Sequence, residues 1–180
     1  MNQTKVVISR RRYRRLMAEL ARRGGSHRES GAFLLAARPP KQLLGGVEVV
    51  DVAYYDDLDP GSLTGGITMH DVGFTALNRY CRDKALTVVG DVHTHPSSIV
   101  RQSNIDASNP MIAFAGHVAI IAPNYAQRKP KPPALGVHLF LGSGRWQSYF
   151  GRDGEDVLQV FGWPTRVAAR FARRFEERSR

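Results

Sequence analysis

The sequence predicts an α+β domain, a largely antiparallel sheet carrying a few helices. Short, apolar, β-branched runs recur along the chain between turns rich in Gly, Pro and Asp. Three stretches place apolar residues at helical spacing, among them Tyr13, Leu16, Met17, Leu20 and Ala21. No internal repeat suggests a solenoid or propeller.

Size and composition narrow this further. A chain of 180 residues with 42% hydrophobic content builds one ordinary core, so residues 1–180 are expected to form a single domain. The lone cysteine, Cys81, excludes an intramolecular disulfide and a thiolate zinc cage. The opening MNQTKVVISR has no signal-peptide core, and no run of about 18 apolar residues offers a membrane span. The expectation is a cytoplasmic protein with no membrane partner.

In chain order, Lys5 to Ile8 reads as a short strand. Ser9 then caps a helix that Gly24 and Gly25 terminate. Gly31 to Ala37 is a buried strand, broken at Arg38-Pro39-Pro40, and Leu43 to Tyr55 is expected to return beside it as one longer strand. After the turn-rich Asp56 to Gly66, Asp71 caps a helix with Phe74, Leu77 and Cys81 along one face, Cys81 as a packed core residue. Leu86 to Val92 is a central strand leading directly to His93, and Ser103 to Asn109 forms a short helix. Val118 to Ala122 is a further buried strand, and prolines keep Asn124 to Pro133 irregular. Leu135 to Leu141 and Trp146 to Phe150 are strands joined through Gly142, Ser143 and Gly144. Pro164 opens a last helix with the stripe Val167, Ala168, Phe171 and Phe175.

The net charge of +10 is terminal in origin. Residues 1 to 28 contribute +8 and residues 163 to 180 contribute +4, whereas the centre is −2. The basic ends are read first as solvated helix faces, with a weak nucleic-acid footprint or a dock for an acidic partner as alternatives.

Chemistry concentrates after the central strand. His93 and His95 are two apart, so in extended chain both imidazoles point the same way and reach one metal ion. Pro96 stops the strand and exposes the pair at its end. Asp106 follows, with Ser103 three residues before it and on the same face of a helix. Two imidazoles and a carboxylate leave a fourth position open, the arrangement of catalytic zinc. A nearby carboxylate must then move the proton of the zinc-activated water. Glu29, directly before the buried strand, is the candidate, although the residues alone do not single it out among 16 acids. Asp91 shares the strand face of His93 and is read as a hydrogen-bond partner of a zinc histidine, or else a strand-end residue. His117 is read as a hydrogen-bonded structural residue, not a fourth ligand. His27, His70 and His138 have no spacing partner, and Arg101 and Gln102 lie in the loop between the ligands.

His93-Thr94-His95-Pro96, six further residues, then Ser103-Asn104-Ile105-Asp106 resembles the HxHP-x6-SxxD signature of the JAB/MPN metalloproteases, the JAMM motif. Glu29-Ser30-Gly31 followed by Ala32-Phe33-Leu34-Leu35 is similar to the family's upstream glutamate element, and Val88 to Val92 to its glycine-bearing strand. The resemblance runs from about residue 29 to about residue 146. It implies a curved, mostly antiparallel, cytidine-deaminase-like sheet flanked by helices, and one Zn²⁺ held by His93, His95 and Asp106. By the same resemblance Glu29 is the general base and acid, and Ser103 stabilises the oxyanion. The activity implied is hydrolysis of a peptide or isopeptide bond after the C-terminal glycine of a ubiquitin-like protein. The segment from Asp91 to Pro123 looks most like bacterial members that accompany ubiquitin-like, E1-like and E2-like proteins, including those of antiviral defence operons.

Two other readings stand beside this one. The same chemistry can trim a β-grasp sulfur-carrier protein. Alternatively the chain is a noncatalytic module with a structural zinc, whose basic helices bind an acidic partner or, less in keeping with the charge distribution, nucleic acid.

Overall fold

The computed structural model describes residues 5–64 and 66–162, and the expected helix after Pro164 lies outside them. It is a mixed α+β structure with two mixed sheets and several helices. The strands are β1 (Val6–Ser9), β2 (Gly31–Ala37), β3 (Gln42–Leu43), β4 (Gly46–Glu48), β5 (Asp51–Tyr54), β6 (Leu86–Thr94), β7 (Val118–Ala122), β8 (Gly136–Gly142), β9 (Arg145–Phe150) and β10 (Leu158–Phe161). The helices are α1 (Arg10–Gly24), α2 (Tyr55–Leu58), α3 (Asp71–Asp83) and α4 (Asn104–Ser108).

The larger sheet has the order β5-β2-β6-β7-β8-β9 and is antiparallel except for the central β6–β7 pair. Both its faces are covered. Along β2, Ala32 and Leu34 join the cluster under α1, which includes Leu16, Met17 and Leu20, while Phe33 and Leu35 join the cluster that packs against Leu77 and Phe74 of α3. A strand buried on both sides reads as one apolar run, which is why GAFLLAA was legible. Ser9 caps α1 by accepting from the Arg12 amide, and Gly25, with φ of 57°, ends it in the left-handed conformation. Cys81 is partly buried against the α3-side cluster.

Three expectations are corrected. A second sheet, β10-β1-β4-β3, sets β1 between two parallel neighbours, so the protein is not built on one mostly antiparallel sheet. The run from Leu43 to Tyr55 is not a single strand. Leu44 and Gly45, with φ of 50° and 76°, turn the chain into the β3–β4 hairpin of the smaller sheet, and only β5 pairs with β2. At the crossing, the Val49 amide donates to Val7 of one sheet and the Val50 amide to Leu35 of the other. Lastly, His70 and not Asp71 occupies the N-cap of α3, leaving Asp71 in the first turn, where its charge suits the helix dipole. Between Asn124 and Pro133 the backbone makes only short 3₁₀ turns.

Candidate metal centre

β6 pairs antiparallel with β2, placing Gly31 opposite His93 and bringing Glu29 to the end of β6 where the histidines lie. Thr94, between them, points to the opposite face. Its backbone amide donates to the Ser30 carbonyl, and its hydroxyl accepts from the Ser30 amide at 3.0 Å. Ser30 in turn donates its hydroxyl to the Leu20 carbonyl of α1, 2.8 Å away. Glu29 is thus carried on backbone fixed to both the helix and the ligand strand. Nothing in the sequence marked Ser30 or Thr94 for this, beyond the alternation that turns the middle residue of HxH inward.

His93, His95 and Asp106 converge, each offering one ligand atom within 4.8 Å of the others. His93 Nε2 lies 3.2 Å from His95 Nε2 and 3.7 Å from Asp106 Oδ1, and His95 Nε2 lies 3.4 Å from Asp106 Oδ2. Asp106 is oriented by a capping box. Its Oδ2 accepts from the Ser103 amide at 2.8 Å, while Ser103 Oγ accepts from the Asp106 amide at 3.1 Å. Ser103 and Asp106 meet as expected, but through this cap: Ser103 stands before α4 in extended conformation and not on a face of the helix. Ser103, Asp106 and His93 line one cleft.

The chemistry of the donor set fits a cation. His95 Nδ1 is 2.9 Å from the Ile99 carbonyl, which can only accept, so Nδ1 carries the hydrogen and Nε2 presents its lone pair. That lone pair faces a carboxylate oxygen and a second imidazole nitrogen. Such a gathering of acceptors calls for a proton or a metal ion among them. In the metal-free state the Asp106 hydrogen bond accordingly raises the pKa of His95, whereas burial lowers that of His93. Nitrogen and carboxylate donors suit zinc better than magnesium, which prefers oxygen shells.

Glu29 lines the same cleft of about 610 Å³, with Ser103 and Asp106 across it. Burial pushes its pKa up, a shift that the Asp106 charge reinforces and His95 opposes. Asp106 shows the reverse. Burial would raise it, but the hydrogen bond from His95, the neighbouring His93 and the bonds from Ser103 hold it well below the usual carboxylate range. Ile67, Met69, Phe74, Met111 and Trp146 give the rest of the wall an apolar part, beside the polar Thr68, Gln102 and Asn109. The loop from Asp56 therefore contributes Gly66 at its end, whereas no residue of the Asn124–Pro133 loop lines the cleft. Trp146, expected only as a strand residue, donates its indole N–H to the Ala107 carbonyl at 3.0 Å, tying β9 to α4.

The reading of Asp91 is corrected. It faces the cleft beside His93, but its hydrogen bonds go to His117 Nε2 at 2.6 Å and the Tyr55 hydroxyl at 3.0 Å, and to neither candidate zinc histidine. The parallel register of Gly90 with Val118 brings His117, one residue earlier, to the Asp91 carboxylate. All three members of this cluster are buried, and His117 is the hydrogen-bonded structural residue expected. His27 contacts the Gly25 carbonyl and His70 contacts Asp59. Arg101 leans over the Phe150 ring at 5.9 Å.

No family model matches the sequence. Among solved structures, a protein of Desulfitobacterium hafniense determined in solution aligns with 90% of this chain and 96% of its own, at 14% identity and a TM-score of 0.58. A protein of Salinibacter ruber, also determined in solution, aligns with 87% of this chain and 94% of its own, at 17% identity and a TM-score of 0.52. Both are likenesses of fold, and they agree with a mixed α+β architecture.

Proposed function

We propose that the protein is a zinc-dependent peptidase or isopeptidase with a JAB/MPN-type, cytidine-deaminase-like fold, acting after the C-terminal glycine of a ubiquitin-like protein. The observation that carries this reading is the convergence of His93, His95 and Asp106, the first and last of which line the same cleft as Glu29. Zinc held by these three residues would supply a Lewis acid and an activated water near neutral pH.

The chain's own groups do the rest. Glu29, its basicity raised by a half-buried setting, takes a proton from the attacking water and returns it to the departing amine. The Ser103 hydroxyl donates to the oxygen on which negative charge develops. Asp106 stays ionised throughout, because its surroundings favour the charged form. The wall from Ile67 to Phe74 lines the approach and limits water around the reacting carbonyl. A glycine-ended substrate fits the proposal because it brings no side chain to the metal end. E1-like and E2-like proteins are the partners this reading suggests, with the cytoplasm as its place of action. No helix among the described residues is long and apolar enough to cross a membrane.

The deciding experiment is hydrolysis of a ubiquitin-like protein bearing a C-terminal fluorogenic amide, by zinc-loaded wild type and Glu29→Gln in parallel. Turnover that collapses in the variant while one equivalent of zinc remains bound supports the proposal. Equal rates in the two proteins overturn the role of Glu29. A sulfur-carrier fusion cleaved in preference would move the substrate to that class.

A further inference from the structure

The segment from Pro96 to Gln102 joins two ligands from different elements, His95 at the end of β6 and Asp106 in α4. It is exposed over much of its length, with Ile99 63% exposed, yet it is gripped at defined points. The amides of Tyr125 and Asn124 donate to the carbonyls of His95 and Ser97. Those donors come from a turn in which Asn124, Tyr125 and Ala126 all have positive φ, near 50–56°, a conformation that L residues adopt only when their surroundings impose it. From the other side comes His138.

His138 sits on β8, only 1% exposed, in a T-shaped contact with Phe150. Its Nε2 is 3.0 Å from the Val100 carbonyl and its Nδ1 is 2.8 Å from Ser148 Oγ of β9. A carbonyl only accepts, so Nε2 bears the hydrogen and Nδ1 accepts from the serine hydroxyl. Burial lowers the pKa of His138, in keeping with this neutral form. The close approach also requires Gly136, where a Cβ would overlap the Val100 carbonyl oxygen.

Two adjacent carbonyls are therefore held by two histidines. Ile99 accepts from His95, and Val100, the next residue, accepts from His138. The two carbonyls belong to consecutive planar peptide units joined at the Val100 Cα, so with the Val100 carbonyl held only the φ and ψ of that one residue separate it from the Ile99 carbonyl. That second carbonyl sets which His95 nitrogen carries hydrogen and which faces Asp106.

We infer that His138 is a positioning residue of the metal centre, which fixes the orientation and tautomer of His95 through the Val100–Ile99 carbonyl pair. The inference rests on the reading of His93, His95 and Asp106 as zinc ligands. It adds a residue from β8, two strands away from β6, that touches neither metal nor substrate.

The test uses the whole 180-residue chain and two probes, zinc affinity by chelator competition and the visible absorption spectrum of the cobalt(II)-loaded form. His138→Phe keeps a ring but loses both hydrogen bonds. His138→Gln keeps an amide donor for Val100. The expected result is zinc affinity weakened about 10- to 100-fold in His138→Phe, with changed cobalt band positions or intensities, and both largely restored in His138→Gln. Wild-type affinity and spectrum in a folded His138→Phe overturn the inference. So does equal weakening in both variants, which would mark a packing role. Should His138→Phe fail to fold, Ser148→Ala decides, because it frees only Nδ1. A smaller loss in the same direction supports the inference, and an unchanged affinity and spectrum reject it. Failure of the wild type to bind zinc would overturn the metal centre itself, a result distinct from all of these.

Discussion

Glu29 and Asp106 face the same cleft with the same functional group and sit in opposite electrostatic conditions. Glu29 precedes a buried strand, where burial dominates and favours the protonated acid. Asp106 sits inside a helix cap, where His95, His93 and Ser103 outweigh a comparable burial and favour the anion. Two carboxyl groups whose surroundings drive their pKa values apart suit different tasks. In the proposed reaction the one that releases and regains a proton would move protons, and the one that stays charged would hold the cation. The difference lies in the neighbours and not in the residue type, so exchanging roles by mutation should fail.

The largest effects test that division directly. Asp106→Asn is expected to abolish stoichiometric zinc binding, measured by metal analysis after desalting, and to remove hydrolysis with it. Glu29→Gln should keep the zinc and lower kcat by on the order of 10²- to 10⁴-fold. Loss of zinc from both variants would erase the contrast.

Ser103→Ala probes the residue that supports Asp106 and, in the proposal, the oxyanion. Removing an oxyanion donor costs roughly 10²-fold in kcat. Losing an N-cap costs about 0.5–2 kcal/mol, here expected as loosening of α4 and visible in the hydrogen exchange of its amides. A rate loss with no change in exchange would leave Ser103 a role toward substrate alone.

The metal-free protein sharpens the comparison through pH. The folded pKa of Asp106 is depressed, so its contribution to stability is present above the unfolded value of about 3.9 and is lost as pH falls through the folded value. Glu29 has a raised folded pKa, so its contribution is present below the unfolded value of about 4.3 and disappears as pH rises through the folded value. At neutral pH, Glu29→Gln should therefore raise the Tm while Asp106→Asn lowers it. Thermal melts carried from pH 7 down to the acid limit of the folded state read both signs, and parallel shifts in the two variants would contradict the assignment.

The smallest expected effect belongs to Trp146→Phe. It removes the bond to the Ala107 carbonyl, worth about 1 kcal/mol, and should loosen α4 while leaving the Glu29 side untouched. Zinc affinity lowered a fewfold, with faster amide exchange in α4 and unchanged exchange around Glu29, is the signature to look for.

What was legible in the sequence followed the range of the forces involved. The convergence of His93, His95 and Asp106 depends on strand alternation, a proline stop and a cap three residues long, all local. The strand from Gly31 to Ala37 was visible because both faces are buried. The partners of Asp91 were not, because His117 reaches it through the parallel pairing of β6 with β7 and Tyr55 comes from the start of α2. His138 and Trp146 escaped for the same reason. Each acts on a backbone carbonyl about 38 residues away, and a carbonyl leaves no trace in the sequence. The division of Leu43 to Tyr55 between two sheets was hidden because apolar alternation does not reveal which neighbour a strand will join.

The crossing at Val49 and Val50 bears on how this molecule comes apart. One amide belongs to the small sheet and the next to the large one, so neither sheet can lose its hydrogen bonds there without dragging the adjoining peptide of the other. Disorder starting at β3 or β4 would reach Leu35, and from there the strand that carries Glu29 toward His93. Denaturant should therefore erase the secondary structure of both sheets and the metal centre in a single transition, with coincident midpoints by every probe.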